Sequence, residues 1–168
     1  MIAGRLGGRA TVMRSRITLA AMAVLVAGLD LGLKAWAGRA LSDGSTTDLG
    51  PLQLRLTFNP GVAFSLGDTL PRAVLLGLTG VIVAALAVFA FCFTRTAALP
   101  FVLALAAMLG GALANVIDRA ADGLVTDYLH TGWFPTFNLA DAFVVTGAAI
   151  LVVASWRASA TTDARTGP

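Results

Sequence analysis

Four stretches of the chain are apolar for long enough to cross a bilayer, and the polar residues gather between them. A spanning helix needs about 20 mostly apolar residues. Ala73–Phe93 and Ala97–Ile117 each supply 21 without a charge. Leu139–Trp156 supplies 18, with Asp141 near its start, and Ile17–Trp36 supplies 20, with Asp30 and Lys34 in its last two turns. Between the first and second spans the period changes. In "PLQLRLTFNPGVAFSL" (51–66), Leu52, Leu54 and Leu56 alternate with Gln53, Arg55 and Thr57, a period of two that predicts a strand, and "NPG" predicts a turn. The expected architecture is an all-α membrane protein of four transmembrane helices, with a small extracytoplasmic β element after helix 1. Residues 1–168 read as one integral-membrane domain, with a basic arm at 1–15 and a polar, disordered tail at 159–168.

Composition supports the membrane reading. The chain is 57% hydrophobic and 12% charged, with a mean hydropathy of +0.82, too apolar for a soluble domain. The net charge of +3 comes from scattered arginines, without a basic face of interleaved aromatics, so no nucleic-acid partner is expected. Cys92 stands alone, which excludes an intramolecular disulfide and a multi-cysteine metal site. The arginine bias sets direction. Arg5, Arg9, Arg14, Arg16 and Arg95 are expected inside, which puts both termini in the cytoplasm and the loops 38–72 and 118–136 outside. Trp36, Trp133 and Trp156 then fall near the interfaces, as an aromatic belt would. The first span has a rival reading: its arginines, apolar run and "AWA" at 35–37 resemble a cleavable signal peptide.

Each polar residue near a span has a plain structural reading. Asn138 can cap the fourth helix, with Asp141 at its third position, where the helix dipole favours an acid. Asn115 and Asp118 share a helix face, and Asp118 with Arg119 reads as an ion pair ending the third span. Asp30 and Lys34 are spaced as a helical ion pair. Gly110 with Gly111, and the weaker Gly28 with Gly32, would allow close helix approach. Asp127 reads alone as a solvated loop carboxylate, although Val125, Asp127 and Leu129 share a side if that segment is extended. Ser65 with Lys34 is a weak candidate nucleophile pair, and His130, the single histidine, has no evident metal-site companions.

A sharper reading follows if Asp127 and Asp141 meet. Two adjoining carboxylates share a proton, so one can activate water while the other polarises a carbonyl, with no metal and no nucleophilic side chain. At this point five ordered motifs matter together: "DLGLK" (30–34), "FNPGVAFS" (58–65), "GGALANVIDR" (110–119), "VTDYL" (125–129) and "FNLADAF" (137–143). Across residues 17–157 the chain resembles the lipoprotein signal peptidases, the type II signal peptidases of bacteria. The resemblance implies a four-helix aspartic protease of the inner membrane, active near the extracytoplasmic face. Its substrate would be a diacylglyceryl-modified prolipoprotein, cut just before the lipidated cysteine. It implies a first helix that is retained; no cofactor is expected, and the protein is expected to work in membrane lipid, as a monomer. The family's catalytic pair falls on Asp127 and Asp141. Its supporting residues fall on Asp30, Lys34, Asn59, Asn115, Asp118, Arg119 and Asn138, and Gly61 and Ala63 match small positions in the outer loop.

Two departures stand out. Ala114 occupies the position before Asn115 where the family commonly has glycine, and only 13 residues separate the two aspartates. Two other classes of function remain in view. A proton-conducting or transporting bundle needs polar groups through the membrane depth, whereas the second span and most of the third have none. A purely structural subunit would use the carboxylates as helix caps alone.

Overall fold

The computed structural model describes residues 2–60, 71–95 and 97–166. Its elements in chain order are α1 (Ile2–Ala40), β1 (Thr46–Asp48), β2 (Gln53–Asn59), α2 (Arg72–Phe93), α3 (Leu99–Asp122), β3 (Val125–His130) and α4 (Leu139–Thr166). All four helices are long and apolar enough to span a membrane. The expected β element exists but is larger than one segment. β2 is the middle strand of an antiparallel sheet ordered β1-β2-β3. Thr46 pairs with Arg55, and Thr57 and Asn59 pair with Asp127 and Val125. The register shifts between Leu54 and Thr57, a bulge that re-aims the end of β2. Gly61, Ala63 and Ser65 lie outside the described residues.

α3 is the axis of the bundle. Val102, Leu105, Ala106 and Ala114 are buried in it, and its two adjoining glycines serve opposite neighbours. A Cβ on Gly110 would lie 2.5 Å from the Ala23 carbonyl oxygen of α1, and one on Gly111 would lie 2.5 Å from the Ala140 carbonyl oxygen of α4. Gly147 of α4 returns the contact, with Ala104 and Met108 against it. The helices therefore pack backbone to backbone, as small residues permit in a membrane. Gly28 and Gly32 face open space: a Cβ on either would meet nothing within 4 Å among the described residues. Ala114 is fully buried among Ala27 and Ala140, so its methyl is accommodated by two other alanines.

Three boundaries differ from the sequence expectation. α1 has 39 residues, roughly 58 Å at 1.5 Å per residue, so it overruns a hydrocarbon core of about 30 Å. α3 continues a turn past Asp118 and Arg119, because Ala120 and Ala121 are strong helix formers, and stops at Gly123 with φ 88°. The tail read as disordered from Ser159 is instead the end of α4, which runs to Thr166. Alanines at 158, 160 and 164 favour the helix, and no glycine interrupts it before Gly167.

Gly111→Val should push α4 away from α3 beside Asp141. A thermal melt in detergent should show a loss of about 1–3 kcal/mol, the usual scale of overpacking. A melt unchanged from wild type would contradict the close approach.

Candidate active site

The site forms where the first turn of α4, the last turns of α1 and α3, and strand β3 converge. Its centre is the ammonium of Lys34, which is 4% exposed. Lys34 Nζ lies 3.0 Å from Asp30 Oδ2 and 3.2 Å from Asp118 Oδ2, and donates to Asn115 Oδ1 at 2.6 Å. Its three protons thus meet three acceptors. The Asp30–Lys34 pair stands as the sequence suggested. Asp118, however, pairs with Lys34 rather than with its neighbour Arg119. The reason is helical geometry: adjacent residues point about 100° apart, so Asp118 turns inward with Asn115 while Arg119 does not.

From Asn115 the network reaches one aspartate. Because Lys34 can only donate, the oxygen of Asn115 must face it, which leaves Nδ2 to donate to Asp141 Oδ1 at 2.7 Å. Asn138, fully buried, reaches the other. Its Oδ1 accepts the Asp141 N–H at 2.9 Å, so its Nδ2 donates to Asp127 Oδ1 at 2.7 Å and to Asn115 Oδ1 at 3.1 Å. The Asn138 N–H in turn donates to Asp141 Oδ2 at 3.3 Å. This is a reciprocal capping box, so the cap reading of Asn138 and Asp141 holds. The same residues also tie Asp141 to Asp127 through two amides.

The rest of the α4 N-terminus is answered in the same place. Leu139 N–H donates to Tyr128 Oη at 3.2 Å, and Ala140 N–H to Asp30 Oδ1 at 2.9 Å. Tyr128 donates its hydroxyl to Asp30 Oδ1 at 3.3 Å. Burial first, and then the Asp30 charge, hold that phenol well above its ordinary range. Thr126 fixes the strand by donating its N–H to Asp118 Oδ2 at 2.7 Å. Tyr128 and Thr126 were missed from the sequence. The available signal was the single tyrosine of the chain, set in a short period-two segment beside Asp127.

Asp127 is not a solvated loop carboxylate, since it is only 2% exposed. Asn59, two residues along β2 from the residue opposite, donates Nδ2 to Asp127 Oδ2 at 3.1 Å. Burial pushes the Asp127 carboxyl up to about 6, and the Asp141 charge adds to the rise. The hydrogen bonds from Asn59 and Asn138 and the charge of Lys34 oppose it. Asp141 opens instead onto a cavity of about 920 Å³, walled by Trp133, Phe134, Phe137, Val144 and Val145, with Asn59 at its edge. Trp133, Phe134 and Phe137 form an edge-on aromatic series, with centroids 5.6 and 6.0 Å apart. The short segment between the aspartates is held by Phe137, whose backbone pairs with Leu129. Arg119 stands apart, with no hydrogen bond to any of these residues among those described. No group of His, Cys, Asp or Glu with metal-site geometry occurs among the described residues.

Such a pair, one carboxyl inclined to keep its proton and one open to an apolar cavity, is suited to acid–base chemistry on a peptide. The fold and site define a polytopic membrane protein with a carboxylate pair at one end of its bundle, one member buried and the other facing a cavity. A family profile described as signal peptidase (SPase) II matches residues 22–157. The lipoprotein signal peptidase of Mesorhizobium japonicum is 39% identical over 158 residues, covering 86% of this chain and 90% of the relative. That of Mycobacterium tuberculosis is 35% identical over 162 residues, covering 91% and 77%. A solved structure described as a bacterial membrane enzyme, obtained by the in meso method at 2.3 Å resolution, superposes with a TM-score of 0.74. It is 27% identical and covers 86% of this chain and 90% of its own. The chain belongs to the signal peptidase II family.

Lys34→Met would leave Asp30 and Asp118 without their shared cation. Breaking a buried pair in this way costs about 3 kcal/mol or more. A detergent melt should record the loss, and a stability equal to wild type would show that Lys34 is not the centre of the network.

Proposed function

We propose that the chain is an intramembrane aspartic endopeptidase that removes signal peptides from diacylglyceryl-modified prolipoproteins, cutting just before the lipidated cysteine. The observation that carries this reading is the asymmetry of the two aspartates. Asp127 is buried, doubly hydrogen-bonded and pushed up to about 6, while Asp141 faces the apolar cavity. The relatives named above are themselves lipoprotein signal peptidases.

In the proposed reaction Asp127 holds the proton and donates it toward the scissile carbonyl oxygen. Asp141, as the carboxylate, takes a proton from a water that attacks the carbonyl carbon. The tetrahedral product collapses when that proton passes from Asp141 to the leaving amine, and Asp127 recovers its own from the hydroxyl. Asn115 and Asn138 position the two carboxyls. Asn59, at the cavity edge, is placed to meet the peptide, and the aromatic wall to meet apolar parts of the substrate. In this reading the sheet end is extracytoplasmic. Arg14, Arg16 and Arg95, at the other end of the helices, face the cytoplasm with both termini.

The reading is tested with purified protein and one prolipoprotein, supplied with and without its diacylglyceryl group. Wild type should cut the lipidated form alone, and Asp127→Asn and Asp141→Asn should each lose at least about 10²–10⁴-fold in turnover while remaining folded. A folded variant with near-normal turnover would remove that aspartate from the chemistry and leave it as a helix cap or hydrogen-bond partner.

A further inference from the structure

The cavity beside Asp141 has two walls of different kinds. One is α4, where the helix itself fixes Val144 and Val145. The other is the loop that returns from the end of β3 to Phe137. It turns at Gly132, whose φ of 87° suits a glycine. Its two exposed aromatics, Trp133 and Phe134, lean on each other and on Phe137. Phe137 is in turn paired through its backbone to Leu129. Among the described residues, one side-chain hydrogen bond reaches this loop, and it comes from another strand: Arg55 Nη2 donates to Thr136 Oγ1 at 2.9 Å.

The bulge of β2 puts Arg55 where it can do this. Between the pairs Leu54–Leu129 and Thr57–Asp127, β2 has two residues, Arg55 and Leu56, while β3 has one, Tyr128. Such an extra residue twists and re-aims its strand. Leu54 and Leu56 pack inward with Tyr128, and Arg55 between them is exposed. Its guanidinium crosses β3 to Thr136, next to the residue that pairs with the far edge of that strand. Thr136 lines the cavity, whereas Arg55 stands outside the residues that wall it. Any effect of Arg55 on a substrate must therefore pass through Thr136.

In the proposed reaction the scissile carbonyl belongs to the residue before the cysteine. The end of the signal peptide then lies against Asp141 and in this cavity. Three extended residues span about 10 Å, close to the width of a space of about 920 Å³. We propose that Arg55 is a positioning residue of the site: through Thr136 it latches the aromatic wall in the shape that receives the apolar residues next to the cut. This rests on the peptidase reading. A wall already in place need not be ordered by the substrate. Without the latch, apparent affinity falls in proportion to the time the wall spends in place. The two aspartates are held by other bonds, so the chemical step is unaffected.

Fluorine NMR of Trp133 reads the wall directly, in full-length protein carrying fluorotryptophan and the changes Trp36→Phe and Trp156→Phe. Arg55→Met keeps the length of the side chain and removes its donors, and at an exposed position it leaves the core intact. The Trp133 resonance should shift or split in Arg55→Met and in Thr136→Val. On a lipidated prolipoprotein each variant should raise KM roughly three- to tenfold, the scale of one hydrogen bond, with kcat unchanged. The double variant should be no worse than either single one. A substrate whose last three residues before the cysteine are glycine should show no rise. A Trp133 resonance unchanged by Arg55→Met would overturn the latch. Additive losses in the double variant would overturn the pairing with Thr136, and an equal rise on the glycine substrate would overturn the assignment of what the wall receives. Wild type that cuts no lipidated prolipoprotein would overturn the peptidase reading and the substrate assignment with it, while the Trp133 resonance would still decide the latch.

Discussion

The structure of this end of the bundle depends on one ammonium. Lys34 gathers Asp30, Asp118 and Asn115 around a single buried charge, and each of these holds something further. Asp30 holds the start of α4 and Tyr128, Asp118 holds Thr126 of β3, and Asn115 holds Asp141 and meets Asn138. Three helices and a strand are thus referenced to one point. Breaking such a centre costs more than any one of its bonds suggests, because each partner is then buried without compensation.

Charge explains why the two carboxyls of the proposed pair differ. Four aspartates, at positions 30, 118, 127 and 141, share this region with one lysine. The α4 N-terminus offsets part of the excess, since Asp30 and Asp141 both accept its N–H groups or those of its cap. The remainder falls on Asp127, which burial inclines toward its protonated form. A carboxylate at the mouth of an apolar helix is therefore affordable: its neighbours fix its position, and the proposed chemistry draws on the proton that burial inclines Asp127 to hold.

Much of this was legible in the sequence, and the limits are physical. The four spans, the Asp30–Lys34 pair and the Asn138–Asp141 cap are local, set by apolar length and by three- or four-residue spacing. The third strand was not legible as such, because pairing Asn59 with Val125 depends on where two distant loops meet. For the same reason Asp118 was read with its sequence neighbour Arg119 instead of with Lys34, 84 positions away. Tyr128 lies inside "VTDYL", but its role exists only because β3 lies against α1. The extension of α4 to Thr166 shows a different limit, since a segment can be polar enough to read as a tail and still consist of helix formers.

The most direct test of the account is the pH dependence of kcat/KM on a lipidated prolipoprotein, which reports the ionisations of the free enzyme. Asp127 is raised from its ordinary value to about 6, and the proposed step needs its proton. Activity should therefore fall as pH rises through an apparent value near 6, one that belongs to the coupled pair rather than to either residue. A rate that stays level from roughly pH 5 to pH 8 would contradict the central claim that the two aspartates work with one proton between them.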